Sequence, residues 1–253
     1  MPGGHCEYPQ HCPYGGLQPW KSCPLKKCRY VEGRYVEGRT LDIRAALTGT
    51  LTRMHRVQRY SSVPVLRAEN VAEHSWQVAI LSMLIGRDIM EDPGSPVLNF
   101  GSLLGRAISH DVSEALSGDI IRSYKHSSPK LKDACDEADE INMERLVKEL
   151  GRGAATDTLW GHWRTAKKSV NFKLEGEIVA FCDLLCVISY CVEEHALGNT
   201  RILFILKRMY EETLSEWHDH PWLGKYVNDL FPNRKWDDPL QQLTEFPNLS
   251  GGI

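Results

Sequence analysis

Two imidazoles and two carboxylates are the residues of this chain with the clearest capacity for chemistry. His110 and Asp111 are adjacent beside an apolar stretch. His74 precedes them in Ala72-Glu73-His74-Ser75, and Asp183 follows in Ala180-Phe181-Cys182-Asp183. Burying an adjacent His and Asp in a helix is costly unless something compensates the charge. A divalent cation does so. A neutral imidazole ligates through one nitrogen, a carboxylate brings charge, and the mixed set suits a transition metal. His74, His110, Asp111 and Asp183 would leave two octahedral positions open for water and a substrate oxygen. A single buried histidine is more often a satisfied core residue. Four metal-type side chains drawn from three predicted helices are the pattern of a site built between facing helices.

The elements that must carry these residues are helical. Asp42 is placed to N-cap a helix running through Ala46, Leu47, Leu51 and Met54 to about Val57. Residues 61–69 contain Pro64 and read as a loop. A helix from roughly Val71 to Asp88 spaces Val78, Leu81, Leu84 and Ile85 for one buried face. Asp92-Pro93-Gly94-Ser95-Pro96 is a turn. A third helix is expected from about Phe100 to Leu116. Pro129 opens a long charged helix to Leu150, stopped by Gly151 and Gly153. Helices from about Thr156 to Lys167, Asn171 to Leu197 (the most apolar) and Thr200 to His218 complete the body, and the tail after Pro232 reads as irregular. No series of alternating strands is visible, so the fold class is all-α, a helical bundle.

Composition limits the function classes. The chain has 253 residues, 42% apolar and 25% charged, which fits one globular domain with a small appendage. A net charge of −3 gives no reason to expect nucleic-acid binding. No apolar run reaches the ~20 residues of a membrane span. The start, Met1-Pro2-Gly3-Gly4-His5, lacks the basic-then-apolar order of a secretory signal, so a cytoplasmic protein is expected. Three regions follow: a Cys-rich extension over 1–40, a helical domain over 41–232 and a tail over 233–253. In the extension Cys6, Cys12, Cys23 and Cys28 could close a structural zinc site, although no tight CxxC pair is present; loosely ordered free thiols are the alternative. The tandem Arg29-Tyr30-Val31-Glu32-Gly33 and Arg34-Tyr35-Val36-Glu37-Gly38 reads as a short extended or hairpin-like linker.

A family resemblance joins these residues. Arg59, Glu69-Asn70-Val71-Ala72-Glu73-His74-Ser75, His110-Asp111-Val112-Ser113-Glu114, Gly118-Asp119-Ile120, Asp183-Leu184-Leu185, Glu193-Glu194 and Gly198-Asn199 together resemble the HD-domain phosphohydrolases, and within them the YfbR-like 5′-deoxynucleotidases. The likeness runs over roughly residues 50–215. It implies an HD-domain bundle whose metal ligands are His74, His110, Asp111 and Asp183, holding a divalent metal (Mn, Co, Mg, Zn or Fe). It also implies Glu114 as catalytic acid near the attacking water, Arg59 gripping phosphate, Asp119 contacting the sugar hydroxyl, and Lys125 where a lysine follows the Gly-Asp motif. Tyr60 stands where the bacterial enzymes carry a tryptophan against the sugar. The implied activity is release of the 5′-phosphate of a (deoxy)nucleoside monophosphate, a small-molecule nucleotide substrate, by a homodimer.

Two other activities are weighed against it. A related branch removes triphosphate from deoxynucleoside triphosphates, and basic residues such as Arg122, Lys125 or Lys167 facing the site would favour that chemistry. A non-catalytic nucleotide-binding protein would use the same pocket without turnover.

Overall fold

A computed structural model describes residues 30–31, 34–35, 41–167, 174–235 and 239–240. The cysteines Cys6, Cys12, Cys23 and Cys28, and with them the expected structural zinc, lie outside the described residues. Within the duplicated linker, β1 (Tyr30–Val31) pairs antiparallel with β2 (Arg34–Tyr35), Tyr30 opposite Tyr35.

The first helix, α1 (Ile43–Thr48), starts as expected: Asp42 accepts a hydrogen bond from Ala45 N at 2.9 Å. It does not run on to Val57. Thr50 gives both its N–H (2.7 Å) and its hydroxyl (2.5 Å) to the carboxylate of Glu149, which draws the chain off the helix axis. The chain resumes as a 3₁₀ turn over Thr50–His55.

Helix α2 (Val71–Met90) begins at a capping box in which Asn70 and Glu73 satisfy each other's backbone donors. Val78 and Ile85 are buried as the spacing predicts, whereas Leu84 is 57% exposed. Leu84 lies six residues beyond Val78, roughly 240° around the axis, and so falls off the buried face.

Helix α3 (Phe100–Ser109) is shorter than expected. At His110 the ladder tightens to i→i−3 bonds, with Val112 N donating to Ser109 O (3.1 Å) and Glu114 N to Asp111 O (2.9 Å). One turn, α4 (Glu114–Ser117), follows and stops at Gly118. The cause is tertiary. Val112 is buried in a second, smaller core with Met143, Leu146, Leu150 and Trp163, away from the main core that takes Leu103 and Ala107 of α3. A buried valine is worth about 1.5–3 kcal/mol, enough to bend the chain between the two cores.

A short helix, α5 (Arg122–Lys125), leads to α6 (Pro129–Leu150), with Pro129 in the first turn as expected and Ser128 as its N-cap. Then come α7 (Ala154–Lys167), the central α8 (Leu174–Ala196), a 3₁₀ turn over Thr200–Ile202, α9 (Leu203–Trp217) and α10 (Gly224–Leu230). Helix α10 was not foreseen. Leu240, in the expected irregular tail, packs against the main core. No described helix is long and apolar enough to cross a membrane.

Helix α8 is apolar nearly all round, the signature of a core helix. Five carboxylates interrupt it, and three of them fix neighbouring elements around the site. Glu175 accepts from Asn99 N at the start of α3 (2.8 Å), and Asp183 meets His74 of α2. Glu194 accepts from Leu66 N (2.8 Å), Arg67 N (2.6 Å) and Asn199 Nδ2 (2.7 Å). Burial works against the Glu194 charge, but these donors outweigh it and hold its pKa below the ordinary glutamate value. Glu194 therefore pins the 61–69 loop onto the bundle.

Glu194→Ala leaves three N–H donors without their acceptor and is expected to cost about 3 kcal/mol, read as a Tm drop of about 6–12 °C in thermal unfolding. In the unsubstituted chain the Glu194 contribution is present at neutral pH and lost as pH falls through its depressed pKa. The Tm gap between the two proteins should therefore narrow in acid.

Candidate active site

The capping box fixes the first turn of α2 and with it His74, which is fully buried. His74 Nε2 lies 2.8 Å from Asp183 Oδ1 on α8. His110 ends α3, and its Nδ1 is 2.8 Å from the carbonyl oxygen of Ala107. A carbonyl only accepts, so Nδ1 carries a hydrogen in either charge state and Nε2 is the nitrogen that takes a cation or, without one, a second proton. That Nε2 is buried and has no aligned hydrogen bond. Ligand atoms of His74, His110 and Asp183 all lie within 4.8 Å of one another. Two imidazoles and a carboxylate at that separation are a donor set for a divalent metal, and an orphaned, correctly protonated imidazole nitrogen fits one. Asp111 stands beside this group rather than in it. Its Oδ2 is 3.0 Å from His110 Nε2 and 3.4 Å from Arg59 NH1.

The electrostatics are those of a pocket rich in acid. Burial, reinforced by Arg59, lowers the His74 pKa and keeps the ring neutral. Burial also acts to lower His110, but Asp111 and Asp183 outweigh it and bring His110 to about 9. Without a cation, therefore, a proton is held where the acids converge.

Arg59 reaches the site through main-chain pairing. Arg59 N donates to Glu69 O (2.9 Å) and Val71 N to Val57 O (3.0 Å), so the strand-like 57–59 segment is registered against the start of α2. Its guanidinium lies between Glu69 (Nε to Oε2, 3.2 Å) and Asp111. Burial opposes its charge, while Tyr60, Asp111, Asp183 and Glu114 reinforce it, and the net effect is upward. Burial likewise pushes the Glu69 carboxyl up to about 7, against the pull of Arg59 and Arg67.

Tyr60 has φ of +59°, a left-handed backbone that a bulky L-residue adopts only under constraint. The constraints are visible. Tyr60 N donates to Asp119 Oδ2 at 3.0 Å, and its ring stacks on Tyr190 at 4.4 Å between centroids with an interplanar angle of 1°. Asp119 follows Gly118, whose φ of 73° and ψ of 170° are open essentially only to glycine. Burial raises the Asp119 pKa.

A cavity of about 300 Å³ adjoins this group, and His74 and His110 are not among the residues that line it. Asp111, Glu114, Asp183 and Arg59 line one part of it, with Tyr60 and Asp119 beside them. Ile120, Ile121, Leu184, Val187, Ile205 and Met209 give it apolar walls. Lys125 is not among the lining residues. It forms ion pairs with Asp136 (3.1 Å) and Asp139 (3.2 Å) of α6 and borders a separate, smaller depression beside Trp163. Arg122 does line the main cavity, paired with Glu212. The sequence reading missed the contribution of α9, namely Phe204, Ile205, Arg208 and Met209. Their i, i+1, i+4, i+5 spacing makes one helical face and was the available signal.

Comparisons with known proteins bear on the family and the fold. The model of the family described as 5′-deoxynucleotidase YfbR-like matches residues 46–233. A 5′-deoxynucleotidase of Yersinia pestis (strain Pestoides F) is 27% identical over 168 residues, covering 65% of this chain and 81% of that protein; one from Yersinia pseudotuberculosis serotype O:1b (strain IP 31758) matches equally. Among solved structures, an HD-domain phosphohydrolase from Listeria innocua superposes with a TM-score of 0.64 at 23% identity, over 83% of this chain and 96% of that one. A cyanophage S-2L HD phosphohydrolase, solved with dA and one catalytic Zn²⁺, has a TM-score of 0.50 at 18% identity, over 78% of this chain and 94% of that one. With three quarters of its length covered by the family model and its helices arranged as in HD-domain structures, this chain belongs to the YfbR-like 5′-deoxynucleotidase family.

Proposed function

We propose that this protein is a divalent-metal-dependent phosphohydrolase that removes the 5′-phosphate of deoxynucleoside monophosphates. The observation that carries this reading is the convergence of His74, His110 and Asp183 within 4.8 Å beside a buried, charged arginine. A divalent cation held by these three residues, with Asp111 adjacent, supplies the Lewis acidity for water activation and phosphoryl polarisation. The imidazole-rich set favours Fe, Co or Zn over Mg.

The chain's own residues do the rest. Arg59 binds the phosphate oxygens, its charge maintained by the surrounding acids. Glu114 holds the attacking water and takes its proton. Asp119 accepts from the sugar hydroxyl at the same time as it holds Tyr60, whose ring edges the sugar position. The 5′-deoxynucleotidase relatives support deoxyribose as the sugar. Lys125, held by Asp136 and Asp139, ties α5 to α6 rather than touching substrate. Arg122 is likewise committed to Glu212, which gives no support to triphosphate release. We retain the expectation of a cytoplasmic homodimer; light scattering would read the mass.

Purified protein with Mn or Co is expected to release orthophosphate, not tripolyphosphate, from deoxynucleoside substrates, and Asp183→Ala to abolish detectable release. Full activity in that variant would reject the site. Glu114→Gln keeps the shape but cannot take a proton, so kcat is expected to fall by about 10²–10⁴-fold, with metal binding retained by calorimetry. Because His110 holds a proton to about pH 9 without metal, metal binding at pH 7.5 should release about one proton. Affinity should then rise with pH up to that value and flatten above it. Calorimetry in buffers of different ionisation enthalpy measures the proton count.

A further inference from the structure

Arg208 on α9 lines the substrate cavity, yet none of the described carboxylates pairs with it. Its cationic neighbours are differently placed. Arg122 is matched by Glu212, and Lys125 and Lys132 by acids of α6. Arg208 lies close enough to His126 to lower its pKa, after burial and together with Arg122, Lys132 and Lys125, so it belongs to a basic group in which the other three cations are matched by acids. Four residues earlier, one helical turn along the same face, Phe204 also lines the cavity and is 63% exposed. An aromatic face and an unmatched guanidinium one turn apart, at a cavity whose remaining α9 lining is Ile205 and Met209, form a recognition surface for something flat with hydrogen-bond acceptors on its edge.

Resting on the nucleotidase reading above, we propose that Phe204 and Arg208 form a base-selecting element, and that the enzyme prefers 6-oxopurine nucleotides. With the phosphate at Arg59, the base must occupy the apolar part of the cavity. A planar base stacks on Phe204. A guanidinium fork matches the paired O6 and N7 acceptors of guanine or hypoxanthine. Adenine offers N7 but sets an amino donor against the arginine, and cytosine presents an amino group at the equivalent edge. Thymine offers a single oxygen. The order expected is therefore dGMP and dIMP first, dTMP next, dAMP and dCMP last. A second phosphate on the substrate is a poorer match for Arg208. The cavity, about 300 Å³, is at the small end of ligand sites, and Glu212 with Glu216 nearby adds negative charge to the same helix.

The test is kcat/KM across dGMP, dIMP, dTMP, dAMP and dCMP for the full chain with Mn, together with Arg208→Ala, Arg208→Lys and Lys207→Ala. The dGMP to dAMP ratio is expected to be about tenfold or more. It should collapse toward one in Arg208→Ala and recover poorly in Arg208→Lys, which has no fork. It should be unchanged in Lys207→Ala, which removes an exposed charge from the neighbouring position. Equal values for all bases, or a preference that survives Arg208→Ala, overturns the proposal while leaving the nucleotidase reading intact. Should no nucleotide lose phosphate, that reading fails instead. The base element is then judged by calorimetric affinities for dGMP and dAMP, where equality rejects it.

Discussion

A carboxylate inside an apolar helix must be met by a partner, and of the five on α8 three hold the pieces of chain that frame the site. Glu175, Asp183 and Glu194 are spread along a helix whose other positions are almost all core. Each is answered by a different piece of chain: the start of α3, the first turn of α2, and the loop that ends at Arg67 together with Asn199. The penalty for leaving any of them unmatched is large enough to dictate where those pieces sit. The helix acts as a ruler, and the site forms at its middle mark. His74 and His110 are delivered by the two helices whose starts or caps are registered against it.

The second constraint is the division of the interior into two cores. Helix α3 packs Leu103 and Ala107 into the larger, and Val112 turns into the smaller. The junction between them is the His-Asp pair. A continuous helix would send residues 110 to 114 along one axis, whereas the tightened turn sets His110 toward His74 and brings both Asp111 and Glu114 to the cavity wall. Opposite, Tyr60 is held in a strained backbone by Asp119 and by the stack on Tyr190. Strain of this kind persists only where the surroundings over-determine it. Here the determinants, Asp119 and the 57–59 pairing with α2, belong to the cavity's own walls.

The sequence made much of this legible where local chemistry decides. Asp42 caps α1, and Pro129 and Gly151 bound α6, because such signals are written within a few residues. The meeting of His74, His110 and Asp183 was foreseeable from ligand chemistry and from the resemblance of the motifs. Features set by packing between distant elements were not. The break at His110 depends on Val112 finding Met143 and Trp163, and the end of α1 depends on Glu149, a hundred residues away. Leu84 satisfied an apolar count but missed the buried arc. The spacing of Phe204, Ile205, Arg208 and Met209 marks one face of α9, but that this face meets the cavity is fixed by how the helix is rotated against α8. Lys125 lies at the expected place in the chain, and the acids of α6 determine what it touches.

The hydrogen bond from His110 to Ala107 has one more implication. The instruction that turns Nε2 rather than Nδ1 to the site comes from a main-chain oxygen, so it does not depend on the side chain of the residue that supplies it. Position 107 has no exposure at all, and what is constrained there is bulk, not function. A mutational scan of this region would record residue 107 as a packing position and would never reveal that its backbone chooses the histidine tautomer.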